Sequence, residues 1–131
     1  MNLLLDSHTF IWWRDEPQKL SPTAFAAISH PQNVVFLSVV TVWELQIKIA
    51  LNKLAIKGGL ANAVQDERQR NGVQILPVQL SHALYLENLP LHHQDPFDRL
   101  LISQAMVENM TLISLDRKFP LYKMIKVIPN D

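Results

Sequence analysis

Asn2-Leu3-Leu4-Leu5-Asp6 is an apolar run of strand length that stops on a carboxylate. A short apolar run without polar alternation marks a strand buried on both faces, as in a parallel sheet covered by helices. The first element is therefore a central strand, and the rest of the chain is read outward from it. Ser21 and Pro22 supply the cap and first turn of a helix over Thr23–Ser29, which Pro31 and Asn33 close before a second strand, Val34–Leu37. Ser38 leads into a long helical pattern, about Val39–Leu51. After Gly58 and Gly59 punctuate the chain, a further helix lies between Lys57 and Arg70, stopped by Asn71 and Gly72. Val73–Val78 reads as a third strand, with Pro77 at its end, and Ser81–Glu87 as a short helix. Asp95 and Pro96 open a helix over Phe97–Glu108, Asn109 closes it, Thr111–Ser114 is a fourth strand, and Ile125–Ile128 a last, edge strand. Strands alternating with helices specify an α/β protein with a mostly parallel sheet. In such sheets ligands bind in the crevice beyond the carboxyl ends of the strands.

With 131 residues, 48% of them hydrophobic, the chain suffices for one core, so residues 1–131 are expected to form a single domain. Twelve Lys and Arg balance twelve Asp and Glu, which excludes the strongly basic footprint of a dedicated DNA-binding protein and makes any nucleic-acid contact local. The absence of cysteine removes disulfides, thiolate metal sites and thiol nucleophiles. No apolar run approaches the roughly 18 residues of a membrane span. The opening MNLLLDSHTF has no basic segment of the signal- or transit-peptide kind, so a cytoplasmic protein with no membrane partner is expected.

Four carboxylates from distant segments should meet in the crevice. Asp6 follows the first strand, and Asp116 stands two residues past Ser114 at the end of the fourth. Glu44 lies in the second turn of the helix leaving the second strand, and Asp98 in the first turn of the helix beginning at Asp95. Carboxylates gathered this closely repel one another unless something positive sits among them. A divalent cation is the simplest remedy. Mg²⁺ takes oxygen ligands and keeps several waters, which suits a few carboxylates plus a phosphate. Two such ions can generate a hydroxide nucleophile and stabilise in-line displacement at phosphorus, so the reaction class implied is phosphodiester hydrolysis.

Each acid also has a plainer reading. Asp95, Pro96 and Asp98 fit a helix start, with Asp95 as N-cap and Asp98 favoured by the macrodipole. Thr41 to Glu44 matches a capping box, and Glu44 stands four residues before Lys48, a favourable helical ion pair. Asp116 could begin a turn with Arg117. Asp6 is harder to set aside, because a carboxylate at the end of a central strand should be desolvated with no partner evident in the sequence. The case rests on convergence at one edge.

The stretches LLLDSHTFIWW (3–13), SVVTVWELQIK (38–48), HHQDPFDRLLISQA (92–105) and TLISLDRKF (111–119) resemble the PIN domain, in particular its VapC-like toxin branch. The likeness runs along almost the whole chain in the family's order. It implies a Rossmann-like, three-layer α/β/α fold, Mg²⁺- or Mn²⁺-dependent endoribonuclease activity on RNA, a homodimer, and inhibition by a cognate antitoxin. It places Asp6, Glu44, Asp98 and Asp116 as the family's four acids and Ser114 as the small hydroxyl residue lining the metal pocket. Between the two aspartates of DPFDR, Asp98 fits the family helix, which leaves Asp95 as a cap or a support behind the ligands.

His8, His30, His82, His92 and His93 contain no pair at the spacing of a zinc-binding helix, and metal ligation by histidine is not expected. His92 and His93 could contact substrate phosphate, although an exposed loop is the commoner setting. Arg99 is read as a salt-bridge former, with phosphate binding as its alternative. Arg117, Lys118 and Lys123 are candidate RNA contacts or an ordinary solvated patch. Phe10, Trp12 and Trp13 are read as core or protein interface, such as a dock for an antitoxin helix, ahead of base stacking. The competing function is a non-catalytic module binding RNA or protein on the same fold. A phosphatase of the haloacid-dehalogenase type is excluded, because its second Asp would fall where His8 stands.

Overall fold

The computed structural model describes residues 1–92, 95–114 and 126–129. Five strands, β1 (Asn2–Leu5), β2 (Val34–Ser38), β3 (Gln74–Leu76), β4 (Thr111–Ser114) and β5 (Lys126–Pro129), form one sheet in the order β3-β2-β1-β4-β5. Every pairing is parallel. Among the described residues six helices connect them: α1 (Ser7–Asp15), α2 (Pro22–Ser29), α3 (Val39–Ala50), α4 (Leu60–Asn71), α5 (Leu80–Tyr85) and α6 (Pro96–Glu108), with short 3-10 turns at Pro17–Lys19 and Leu86–Asn88.

The opening run is indeed the centre of the molecule: Leu3, Leu4 and Leu5 are all wholly buried. Strand alternation sends them to opposite faces. Leu3 and Leu5 join Phe10, Ala24, Ile28, Leu37, Leu45, Leu60 and Ile113 in one core. Leu4 joins Leu101, Ile102, Ala105 and Leu112 in the other. Helices α1 to α4 thus cover one face and α5 and α6 the other, the three-layer arrangement expected. Burying each such leucine stabilises the fold by about 1.5–3 kcal/mol.

The connectivity explains the layering. From β1 the chain steps outward to β2 and β3, then returns past β1 to β4 and β5. Right-handed crossovers put the helices of the outward run on one face and those of the return on the other. The direction in which strands are added across the sheet reverses between β1 and β4, and a crevice opens there at the carboxyl ends of the strands.

Helix ends follow the sequence closely. Ser21 caps α2 through Ala24 N–H, with Pro22 in the first turn. Asn109 and Gly72 close α6 and α4 in left-handed conformation, at φ 55° and 65°. The expected capping box at Thr41 to Glu44 is not formed, because α3 already starts at Val39 with Ser38 as its cap. Helix α4 starts only after the two glycines, at Leu60. Helix α1 has no counterpart in the sequence reading.

A candidate metal centre at the carboxyl edge of the sheet

Three elements deliver acids to the crevice. Asp6 leaves β1 and becomes the N-cap of α1, its Oδ1 accepting the Thr9 N–H at 2.9 Å. Its Oδ2 accepts the Ser114 hydroxyl at 2.5 Å, so the carboxylate is tied to the end of β4. The side chain is buried, 8% exposed, and the partner missing from the sequence reading is therefore supplied by Ser114 and the start of α1. Thr9 adds a second tie, donating its hydroxyl to the Ile113 carbonyl.

Glu44 stands in the second turn of α3, half-buried, with Lys48 Nζ 3.4 Å from its Oε2 one turn further on. Asp95 caps α6, its Oδ1 accepting the N–H groups of Phe97 at 2.8 Å and Asp98 at 3.2 Å. Asp98 lies in the first turn of the same helix. Helices α3 and α6 pack against each other, and the edge of one aromatic ring of Trp43 and Phe97 meets the face of the other at 4.9 Å between centroids. That contact joins the second turn of α3 to the first turn of α6. One oxygen each from Glu44, Asp95 and Asp98 lie within 4.8 Å of one another. Asp6 lines the same cleft, with Ser7, His8 and Lys48, in a volume of about 300 Å³.

Asp6, Glu44 and Asp98 are thus brought together as expected, and Ser114 sits behind Asp6. Asp95 does more than the sequence reading gave it, capping α6 and also standing in the oxygen cluster. Asp116, His93, Arg117, Lys118 and Lys123 lie outside the described residues. Arg99 turns away: its guanidinium donates to the backbone carbonyls of Pro90 at 3.0 Å and Leu86 at 3.3 Å, a structural tie made to carbonyls. The aromatic segment belongs to the core side. Phe10 is buried, and Trp12 and Trp13 pack against the same cluster.

Sequence reasoning missed Lys48 and His8 as lining residues of the cleft. Lys48 was legible as the helical partner of Glu44, which already implied that it faces the same way. A second omission lies beneath the site. Ser38 donates to Gln104 Oε1, whose amide nitrogen reaches the Pro77 carbonyl at 3.3 Å and His82 Nδ1 at 3.4 Å. Gln79 N–H also donates to that Nδ1, and Ser103 donates to the His82 carbonyl. No single-sequence signal announces such a network, because its members only meet across the fold.

The donor set is chemically uniform: carboxylate oxygens, with no thiolate in the chain. Hard oxygen donors at these separations fit a hard divalent cation that keeps part of its water shell.

A model of the PIN domain family matches residues 3–123. The chain is 32% identical over 124 residues to ribonuclease VapC22 of Mycobacterium tuberculosis, across 88% of each protein. The crystal structure of VapBC2 from Rickettsia felis bound to a DNA fragment of its promoter shares the fold over 100% of each chain, with a TM-score of 0.71 at 17% identity. That of VapBC-1 from nontypeable Haemophilus influenzae does so over 98% of each chain, at 0.68 and 18%.

Proposed function

The chain belongs to the PIN-domain family, and from that premise we propose that it is a metal-dependent endoribonuclease, the toxin of a toxin–antitoxin pair, acting on RNA in the cytoplasm. The observation that carries the reading is the meeting of Asp6, Glu44, Asp95 and Asp98, from three separate segments, in one cleft at the reversal point of the sheet. Glu44, Asp98 and Asp6 are the proposed ligands of Mg²⁺ or Mn²⁺, with Asp116 the fourth acid on the family correspondence. Such an ion, when bound, supplies an acidified water and neutralises charge on the phosphate.

The chain's own residues set the stage for hydrolysis. Ser114 and Thr9 N–H hold the Asp6 carboxylate so that it enters the cleft in one orientation. Asp95 fixes the first turn of α6 and hence the direction of Asp98. The net reaction adds water across the phosphodiester: a new P–O bond forms to the water oxygen, one ester P–O bond breaks, and the departing sugar oxygen takes a proton.

A homodimer and a cognate antitoxin are the proposed protein partners. Support comes from the apolar side chains of Val39, Trp43, Ile47 and Leu51, exposed at every fourth position along α3 and its end, a pattern found where a protein surface is covered. A purified chain sedimenting as a monomer would remove the dimer from the proposal.

The test is incubation of purified, antitoxin-free protein with total RNA in Mg²⁺, Mn²⁺ or EDTA. Discrete fragments are expected in the metal lanes alone. Asp98→Asn should lower the cleavage rate by more than about 100-fold, since even supporting residues around a metal cost 10–100-fold. Intact RNA in every lane would leave the non-catalytic binding module as the better reading.

A further inference from the structure

The cleft carries four carboxylates, and its intended ligand is a polyanion. Resting on the nuclease reading, this raises the question of what attracts a phosphate there. One divalent ion neutralises only about half of four negative charges. Lys48 is the one lysine or arginine among the described residues lining the cleft.

Its present contact is with Glu44, at 3.4 Å. The two side chains differ in freedom. Glu44's is 15% exposed and Lys48's is 35% exposed, on a four-carbon stem. Ion pairs of this helical spacing contribute little to stability, so the ammonium loses little by leaving. A metal on Glu44 and the Lys48 ammonium would share one carboxylate, and two cations on one carboxylate repel. A phosphate joining the shell of an ion held on Glu44 would present its non-bridging oxygens beside that carboxylate, and the four-carbon stem of Lys48 would let its ammonium follow.

We propose that Lys48 is a catalytic residue with two successive partners: it neutralises Glu44 in the metal-free protein and moves to a non-bridging oxygen of the scissile phosphate once a divalent cation occupies Glu44. Negative charge on those oxygens is then stabilised by the ammonium through the displacement, while its earlier place on Glu44 keeps the metal-free site from carrying its full repulsion. Lysine suits the exchange because it is a point charge on a mobile stem, where arginine would favour a fixed bidentate pairing.

The roles oppose each other in sign, and the experiment uses this. Lys48→Met keeps the stem and removes the charge. Mn²⁺ binding to the RNA-free protein, read by electron paramagnetic resonance, should tighten about 3- to 10-fold, because the competitor for Glu44 is gone. Cleavage of RNA at saturating Mn²⁺ should fall about 10- to 100-fold, with partial recovery in Lys48→Arg. A lysine serving only as a helix pair with Glu44 moves the Mn²⁺ readout but leaves cleavage at saturating Mn²⁺ within about twofold of the parent. Unchanged or weakened Mn²⁺ affinity, or cleavage within about twofold of the parent, overturns the proposal. A parent protein that binds Mn²⁺ but cuts no RNA overturns the nuclease reading instead, and the Mn²⁺ titration of the two proteins tells these failures apart.

Discussion

Asp6 is at once a helix cap and a cleft carboxylate, and the two duties separate under substitution. Asparagine caps as well as aspartate does, and its amide can still face the Ser114 hydroxyl, which is able to accept as well as donate. Asp6→Asn should therefore fold with stability within about 1 kcal/mol of the parent yet lose RNA cleavage. Asp6→Ala removes the cap of α1 and leaves the buried Ser114 hydroxyl without that acceptor, so a loss of about 2–4 kcal/mol is expected in urea denaturation. Equal instability of both variants would mean that the charge itself holds the fold. At this scale the sequence was a good guide to the gathering of Asp6, Glu44 and Asp98 in one cleft, because each stands near a strand end or helix start that its neighbours announce. It was a poor guide to their partners: Ser114 lies 108 residues from Asp6, and nothing local links them.

At the scale of elements, strands and the later helices were legible because caps and breakers surround them, as Ser21-Pro22, Gly72, Asp95-Pro96 and Asn109 do. Helix α1 was not. Its sequence, SHTFIWWRD, is dominated by aromatic, β-branched and short polar residues of low helix propensity. What makes it helical is tertiary: the Asp6 cap at one end, burial of Phe10 in the middle, and Arg14 reaching Asp66 and Glu67 of α4 at 3.3 and 3.2 Å at the other. Similarly hidden was the clamp by which α6 holds the start of α3 and the segment after β3, through wholly buried Gln104 on Ser38 and Pro77. Gln104→Leu keeps the volume but leaves the wholly buried Ser38 hydroxyl without its acceptor, whereas the carbonyl of exposed Pro77 can turn to water. A destabilisation of about 1–3 kcal/mol is expected, the cost of one buried orphan. Combining it with Ser38→Ala should cost less than the sum of the two, as expected of groups in contact. Additive losses would show that the two side chains do not act as a pair.

For the molecule as a whole, the fold and the site answer to the same feature. Reversal of the strand order between β1 and β4 splits the helices between two layers and opens the edge where Asp6, α3 and α6 converge. The fold thereby gathers mutually repelling carboxylates at a place where packing alone would not favour them, and a cation that binds only this gathered state must stabilise it by mass action. At a concentration 100 times its dissociation constant, Mn²⁺ should add about 2.7 kcal/mol. For a chain of 131 residues this corresponds to a rise of about 10 °C in melting temperature. Asp98→Asn leaves the sheet and its cores untouched but removes one of the three clustered carboxylates, so its rise under the same Mn²⁺ should be at most about 3 °C. Scanning calorimetry of both proteins, with Mn²⁺ and with EDTA, reads the difference directly. An equal rise in the two would place the ion somewhere other than this cleft, whereas the loss of the rise in Asp98→Asn alone ties the stability of the whole chain to the charge collected at one edge of its sheet.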